Sequence, residues 1–215
     1  MNNRPGGNSM SRMVIPLLLL ALPLWAVETI VLQPDGEDGL DTYVYRATPD
    51  DNYGNEAGMY VSSTTQCEDV TLLAFDLSAL PAGGAVRSAW LELYLTTVNE
   101  PAPVLLELVS EPWDEETVTW NTRPAYDDTF QAAADPQADS WWDPVEVTDF
   151  VAAWYEGDQP NYGFAVYLEP TGSAGLIYAY SSQRTENQPR LTIEFSPQAV
   201  LPASWGRIKA VIPAP

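Results

Sequence analysis

The chain has 215 residues, with 30 acidic against 9 basic side chains, no histidine and one cysteine, for a formal net charge of −21. A surface of that sign repels nucleic acid, anionic lipid and polyanionic polysaccharide. The missing histidine excludes Ser-His-Asp and Cys-His nucleophile systems and the common zinc ligand sets, and a lone Cys67 excludes an internal disulfide.

Residues 1–13 are polar and carry Arg4 and Arg12 but no acid, and Val14–Leu24 is an apolar run ending before Trp25-Ala26. That pattern predicts a signal peptide over 1–26, cleaved after Ala26, and hence an extracellular or surface-associated protein with no stable membrane insertion after cleavage. The run is shorter than the roughly 20 residues that span a bilayer. All 30 acids follow Val27. The remainder has the length of one domain, 27–196, that buries a core without staples.

Within it, apolar alternation and Gly/Pro/Asp turns predict strands at Glu28–Gln33, Tyr43–Arg46, Met59–Ser62, Val70–Asp76, Val86–Thr97, Val104–Ser110, Pro144–Val147, Tyr162–Glu169, Leu176–Ser182 and Leu191–Phe195. Cys67 falls in a loop after Ser-Ser-Thr-Thr-Gln. One helix is expected, with Thr148 as N-cap, Asp149 at its positive end, Phe150, Val151 and Trp154 on one face and Gly157 as the stop. About ten short strands and a single helix give an all-β, jelly-roll-like antiparallel β-sandwich. The residues from 197 to 215 form a proline-framed linker and tail around SWGRIKAVI, a segment able to add a strand to a neighbour and so support self-assembly.

Six segments in order carry a resemblance. They are DTYVYRATPDDNYGNEAGMYV (41–61), TLLAFDLSALPAGGAVRSAWLELYL (71–95), WDEETVTWNTRP (113–124), VTDFVAAW (147–154), NYGFAVYL (161–168) and YSSQRTENQPRLTIEF (180–195). Together they resemble the DNRLRE-domain family, also described as disaggregatase-related or carbohydrate-binding module family 96. The resemblance implies a secreted jelly-roll domain that binds polysaccharide or cell-surface glycan without catalysis. Some relatives are described as binding acidic polysaccharide through basic side chains. Here Ala74 stands where an arginine often precedes Phe-Asp-Leu, and the chain is acidic. A neutral glycan is therefore the expected ligand, with a structural or adhesive subunit of a matrix, filament or envelope layer as the alternative.

The conspicuous stretch Trp113–Pro124 reads as structure: its threonines and Trp120 suit a strand entering the core, Asn121 and Pro124 set a turn, and Asp114 and Glu115 accept backbone bonds. Adjacent carboxylates of this kind cannot by themselves flank a scissile bond, so an enzyme is not expected. Asp76 and Asp149 are expected to cap a turn and the helix, and Arg123, Arg184 and Arg190 to pair with acids. Alternation places Ala89, Leu91, Leu93 and Leu95 on one face and Trp90, Glu92 and Tyr94 on the other. The same argument turns Trp142, Tyr167 and Tyr60 outward. Aromatic faces beside carboxylates suit a sugar, so Trp90, Glu92, Tyr94, Trp142 and Tyr167 are the candidate ligand-binding residues; the alternative is that loops bury these rings. Two acidic turns, one with Asp35, Asp38 and Asp41 and one with Asp50 and Asp51, are candidates for calcium, which takes 6–8 oxygen ligands, or are simply solvated.

Overall fold

The computed structural model describes residues 27–63, 68–99, 103–136, 140–141, 144–169 and 174–197. The expected leader, the tail, Cys67 and Trp142 lie outside them. Strands β1 (Glu28–Leu32), β5 (Gly84–Glu92), β10 (Val145–Glu146) and β13 (Arg190–Pro197) form a four-stranded antiparallel sheet in the order β1-β13-β5-β10. A nine-stranded sheet runs β8 (Tyr126–Ala134), β7 (Val104–Val109), β11 (Phe164–Leu168), β4 (Glu68–Ala74), β3 (Gly58–Ser63), β12 (Gly175–Tyr180), β6 (Tyr94–Asn99), β9 (Ser140–Trp141), with β2 (Leu40–Tyr45) also paired to β4. The all-β sandwich expected from the sequence is the fold.

The expected long strand Val86–Thr97 is divided. β5 belongs to the small sheet and β6 to the large one, and the chain changes sheets at Leu93. Ala89, Leu91, Leu93 and Leu95 are nevertheless all buried in one core. An unbroken alternation survives the crossing because a strand that turns the corner of a sandwich keeps the same face inward. This core also holds Val61, Leu73, Phe164, Ile177, Leu191 and Ile193, contributed by both sheets.

Helix α1 (Thr148–Glu156) closes one end. Phe150 and Trp154 place their rings against Phe164, at 5.2 and 4.8 Å between centroids. Gly157 adopts φ 80°, the left-handed conformation that ends the helix as expected. The start differs from expectation. The cap position is Val147, and Thr148 is the first helical residue. Its hydroxyl accepts from the Ala89 amide (3.0 Å) and donates to Glu146 (3.2 Å). The threonine therefore ties the helix to the small sheet in place of serving its own first turn.

A second hydrophobic cluster packs Val44, Val70, Leu72, Val109, Val118 and Ala165 with Trp113, Trp120, Tyr126, Tyr162 and Tyr167. Leu72 enters this cluster while Leu73 enters the first, so successive residues of β4 fill separate cores on its opposite faces. The stretch from 110 to 125 covers the second cluster. Its short 3-10 turn, Trp120–Thr122, has a capping arrangement between Thr119 and Thr122, whose hydroxyl accepts the Thr119 amide at 2.9 Å.

Candidate functional site

The structure distributes the expected binding residues over separate places. Trp90 and Glu92 lie on β5 of the small sheet. Both Glu92 oxygens are engaged by Arg190, at 2.7 and 2.5 Å, and Trp90 stands opposite Glu146 and Thr192. Tyr167 belongs to the second cluster, where its hydroxyl donates to the buried Glu107 carboxylate at 2.5 Å and its ring lies 5.6 Å from Tyr126. Among the described candidates, Tyr94, in β6 of the large sheet, joins a run of half-buried aromatic rings, with its centroid 5.1 Å from Tyr180.

That run leads to a groove of about 790 Å³. Its construction follows from strand register. Asp69 on β4 has Tyr45 of β2 as one cross-strand neighbour and Ser62 of β3 as the other. Ser62 is opposite Leu176 of β12, which is opposite Asn99 of β6. Tyr45, Asp69, Ser62, Leu176 and Asn99 thus form one row across five strands, and all five line the groove. One pleat further on, Tyr60 faces Tyr178 across β3 and β12, with ring centroids 4.6 Å apart. Tyr43 meets Tyr60 edge-on at 5.2 Å, and Tyr53, from the loop after β2, stacks on Tyr43 at 4.4 Å and 18°. Side chains two residues apart on a strand share a face, so register gathers the strand-borne rings and the loop adds Tyr53.

Two glycines permit the arrangement. A Cβ on Gly58 would fall 2.2 Å from the Tyr178 ring, and one on Gly54 would fall 2.2 Å from the Glu115 carbonyl oxygen. Gly58 lets Tyr178 lie across β3. Gly54 lets the Tyr53 loop press against the tryptophan loop. Asn52 fixes that contact with two bonds from its amide, to the carbonyls of Glu115 (2.7 Å) and Val118 (2.8 Å).

The electrostatics of the groove are acidic. Asp69 is buried and its pKa is raised to about 6, first by desolvation, against the lowering effect of the Ser62 hydroxyl that donates to its Oδ2 at 2.5 Å. Tyr43 and Tyr60 are raised above the ordinary phenol value by burial and then by neighbouring phenols and the carboxylates Glu56 and Asp69. Their hydroxyls remain neutral and able both to donate and to accept. No basic side chain is among the described residues lining the groove.

The expected calcium ligands are placed as follows. Asp35 accepts from the amides of Glu37 and Asp38 within its own turn. Asp50 accepts from Asn121 at 2.8 Å, and Asp51 is exposed. Asp41 is buried in β2, where both its oxygens accept the Ser182 amide. Among the described residues, no three acidic side chains converge in a group able to hold a metal. Asp41 lies close to Glu115, whose carboxylate accepts the Asp41 amide at 3.4 Å. Desolvation, ahead of other causes, raises Asp41 to about 6 and Glu115 to about 7.

The arginines fall differently from expectation. Arg190 does pair with an acid, Glu92. Arg123 lies over the Trp120 ring at 4.0 Å and donates to its carbonyl, and Arg184 lies over the Tyr180 ring at 4.2 Å and donates to the Ala57 carbonyl. Planar guanidinium groups stack on aromatic faces as well as pairing with acids.

A family model described as carbohydrate-binding module family 96 matches residues 37–195, which include every strand of the tyrosine groove. The chain belongs to that family. Among curated proteins, the tRNA3(Ser)-specific nuclease WapA of Bacillus spizizenii is similar, with 25% identity over 171 residues. The match takes in 73% of this chain but 7% of WapA, so the family 96 domain corresponds to a small part of that relative.

The sequence reasoning missed the groove. It identified Tyr60 as an outward ring but not its partners, because Tyr43, Tyr53 and Tyr178 come from other elements and meet only through strand pairing. The signal available was alternation: Tyr43 and Tyr45 flank Val44, and Tyr178 and Tyr180 flank Ala179.

Proposed function

We propose that this carbohydrate-binding module holds a neutral glycan in the groove built by Tyr43, Tyr53, Tyr60 and Tyr178, as a secreted domain without catalysis of its own. The observation that carries the reading is the row of tyrosine rings across β2, β3 and β12, beside a cavity of about 790 Å³. Ring faces cover the C–H patches of pyranoses, and phenols, Ser62 and Asn99 exchange hydrogen bonds with hydroxyls. The absence of basic residues in the lining favours a neutral chain over a uronate. Non-catalysis is supported by the Asp41–Glu115 pair, whose oxygens are already bonded to backbone amides.

Binding of the folded protein to an array of neutral and acidic polysaccharides, followed by titration of the best ligand against Tyr60→Ala, tests the reading. The expected result is a neutral ligand whose affinity falls at least tenfold, about 1.4 kcal/mol, in the variant. Binding to nothing on the array, or binding indifferent to Tyr60→Ala, rejects it.

One observation favours a second reading, an assembling structural or adhesive subunit. β1 is the edge of the small sheet, and Val27 and Val31 beside that edge are 54% and 52% exposed. An unpaired apolar edge is a template for strand addition. Light scattering of the native chain and of Val31→Lys decides it: a monomer in both cases counts against assembly.

A further inference from the structure

The groove contains one feature that a cationic sugar uses more fully than a neutral one, for which it is only a hydrogen-bond acceptor. Asp69 is 6% exposed, yet it lines the cavity at the centre of the cross-strand row. Its one hydrogen-bond partner among the side chains described is the neutral hydroxyl of Ser62, on Oδ2. Glu56 and Glu68 add negative potential nearby, since they act on Tyr43 and Tyr60 and on Asp69 respectively. The basic groups in the vicinity are committed elsewhere: Arg46 stands 3.7 Å from Glu68 at the surface, and Arg184 is held by the Ala57 carbonyl and the Tyr180 ring. A carboxylate drawn out of water with no cation beside it is unfavourable, and a ligand cation relieves that cost. The surrounding phenol faces attract a cation in the same place. The net charge of −21 draws cations toward the whole molecule.

We propose that the groove selects a glycan bearing free ammonium groups, a polymer of 2-amino-2-deoxy sugars, with one ammonium paired to Asp69 and adjacent sugar faces resting on Tyr43 and Tyr60. This rests on the glycan-binding reading and narrows its ligand from a neutral chain to a cationic one: the rings supply binding to any pyranose chain, and Asp69 supplies the preference for an amine over its acetylated, neutral form.

Calorimetric titration of the full chain with a β-1,4-linked glucosamine hexamer and with the N-acetylglucosamine hexamer, near neutral pH and at low salt, tests this. The glucosamine hexamer is expected to bind about tenfold tighter, in the range of one desolvated ion pair with cation–π support. Asp69→Asn is expected to erase that preference, with a far-ultraviolet dichroism spectrum and melting curve matching the native protein verifying its fold. Asp158→Asn removes an equal charge at an exposed position outside the groove and is expected to keep the preference. Equal binding of the two hexamers overturns the proposal, as does loss of the preference in Asp158→Asn to the same degree as in Asp69→Asn, since the effect is then one of net charge. Tyr60-dependent binding of other neutral glycans, with neither hexamer bound, overturns the amine preference and leaves the groove reading standing. Absence of binding to every glycan removes both.

Discussion

The tryptophan loop at 110–125 and the tyrosine groove across β2, β3 and β12 are built from the same kinds of residue, aromatic rings with acids beside them. In the loop, many polar tips are answered from within the chain. The Trp113 indole donates to the Tyr162 carbonyl at 2.9 Å, Arg123 covers Trp120, and Asp114 accepts from Glu116 and Thr117. In the groove the rings pack on one another but leave a cavity, and among the described side chains the carboxylate at its centre is hydrogen-bonded by a serine alone. Aromatic content therefore says little about function; what separates a packing cluster from a binding surface is whether local hydrogen bonds and loops have already consumed the faces. The two regions are also joined. Asn52, which bonds to the loop, precedes Tyr53, which walls the groove, so the closed region holds one side of the open one in place.

The largest effect that separates the regions is expected from Trp113→Ala. Removing a half-buried indole and its hydrogen bond from the second cluster should cost about 3 kcal/mol of stability. Thermal unfolding of the variant, with glycan titration well below its transition, checks this: a lower melting temperature with affinity changed less than about threefold (under roughly 0.7 kcal/mol) keeps stability and binding in different regions, while collapse of affinity merges them.

A smaller effect is expected where the loop is latched to β2. Asp41 and Glu115 are raised to about 6 and about 7, so the folded state holds more protons than the unfolded chain between roughly pH 4 and 7. Stability from these groups is complete below that window and is lost as the pH rises through it. Asp41→Asn removes the charge that must be buried at high pH, and should stabilise the domain by roughly 2 kcal/mol at pH 8 with little change at pH 4. Melting curves of variant and native protein that run parallel across the window would count against the latch. The smallest effect is expected from Glu92→Gln, which weakens a partly exposed ion pair to Arg190 and should cost less than about 1 kcal/mol. Its glycan affinity should equal the native value; a loss would return the small sheet to the binding surface.

The sandwich was legible because apolar alternation survives in most strands and because the helix stop at Gly157 is a local signal. Other features depended on pairing. Nothing local to Leu93 announces that the chain leaves one sheet for the other, since the inward residues continue without interruption. That crossing separates Glu92 from Tyr94, which a straight strand would have placed on one surface. Trp113–Pro124 was readable as structure from its turn residues, but its role as the lid of a second cluster depended on where β7 and β11 lay. The groove was hidden for the same reason: Tyr45, Asp69, Ser62, Leu176 and Asn99 are spread over five strands, and only their register makes them neighbours.

The placing of the loop indoles away from the groove has an optical consequence. The groove is lined by tyrosines and, among the described residues, by no tryptophan, while Trp113 and Trp120 sit in the second cluster. A ligand entering the groove should register in tyrosine absorbance and near-ultraviolet dichroism, and opening of the loop should register in indole emission. The protein thus carries two native chromophore sets, one reading occupancy and the other reading integrity, and both can be followed on a single unlabelled sample.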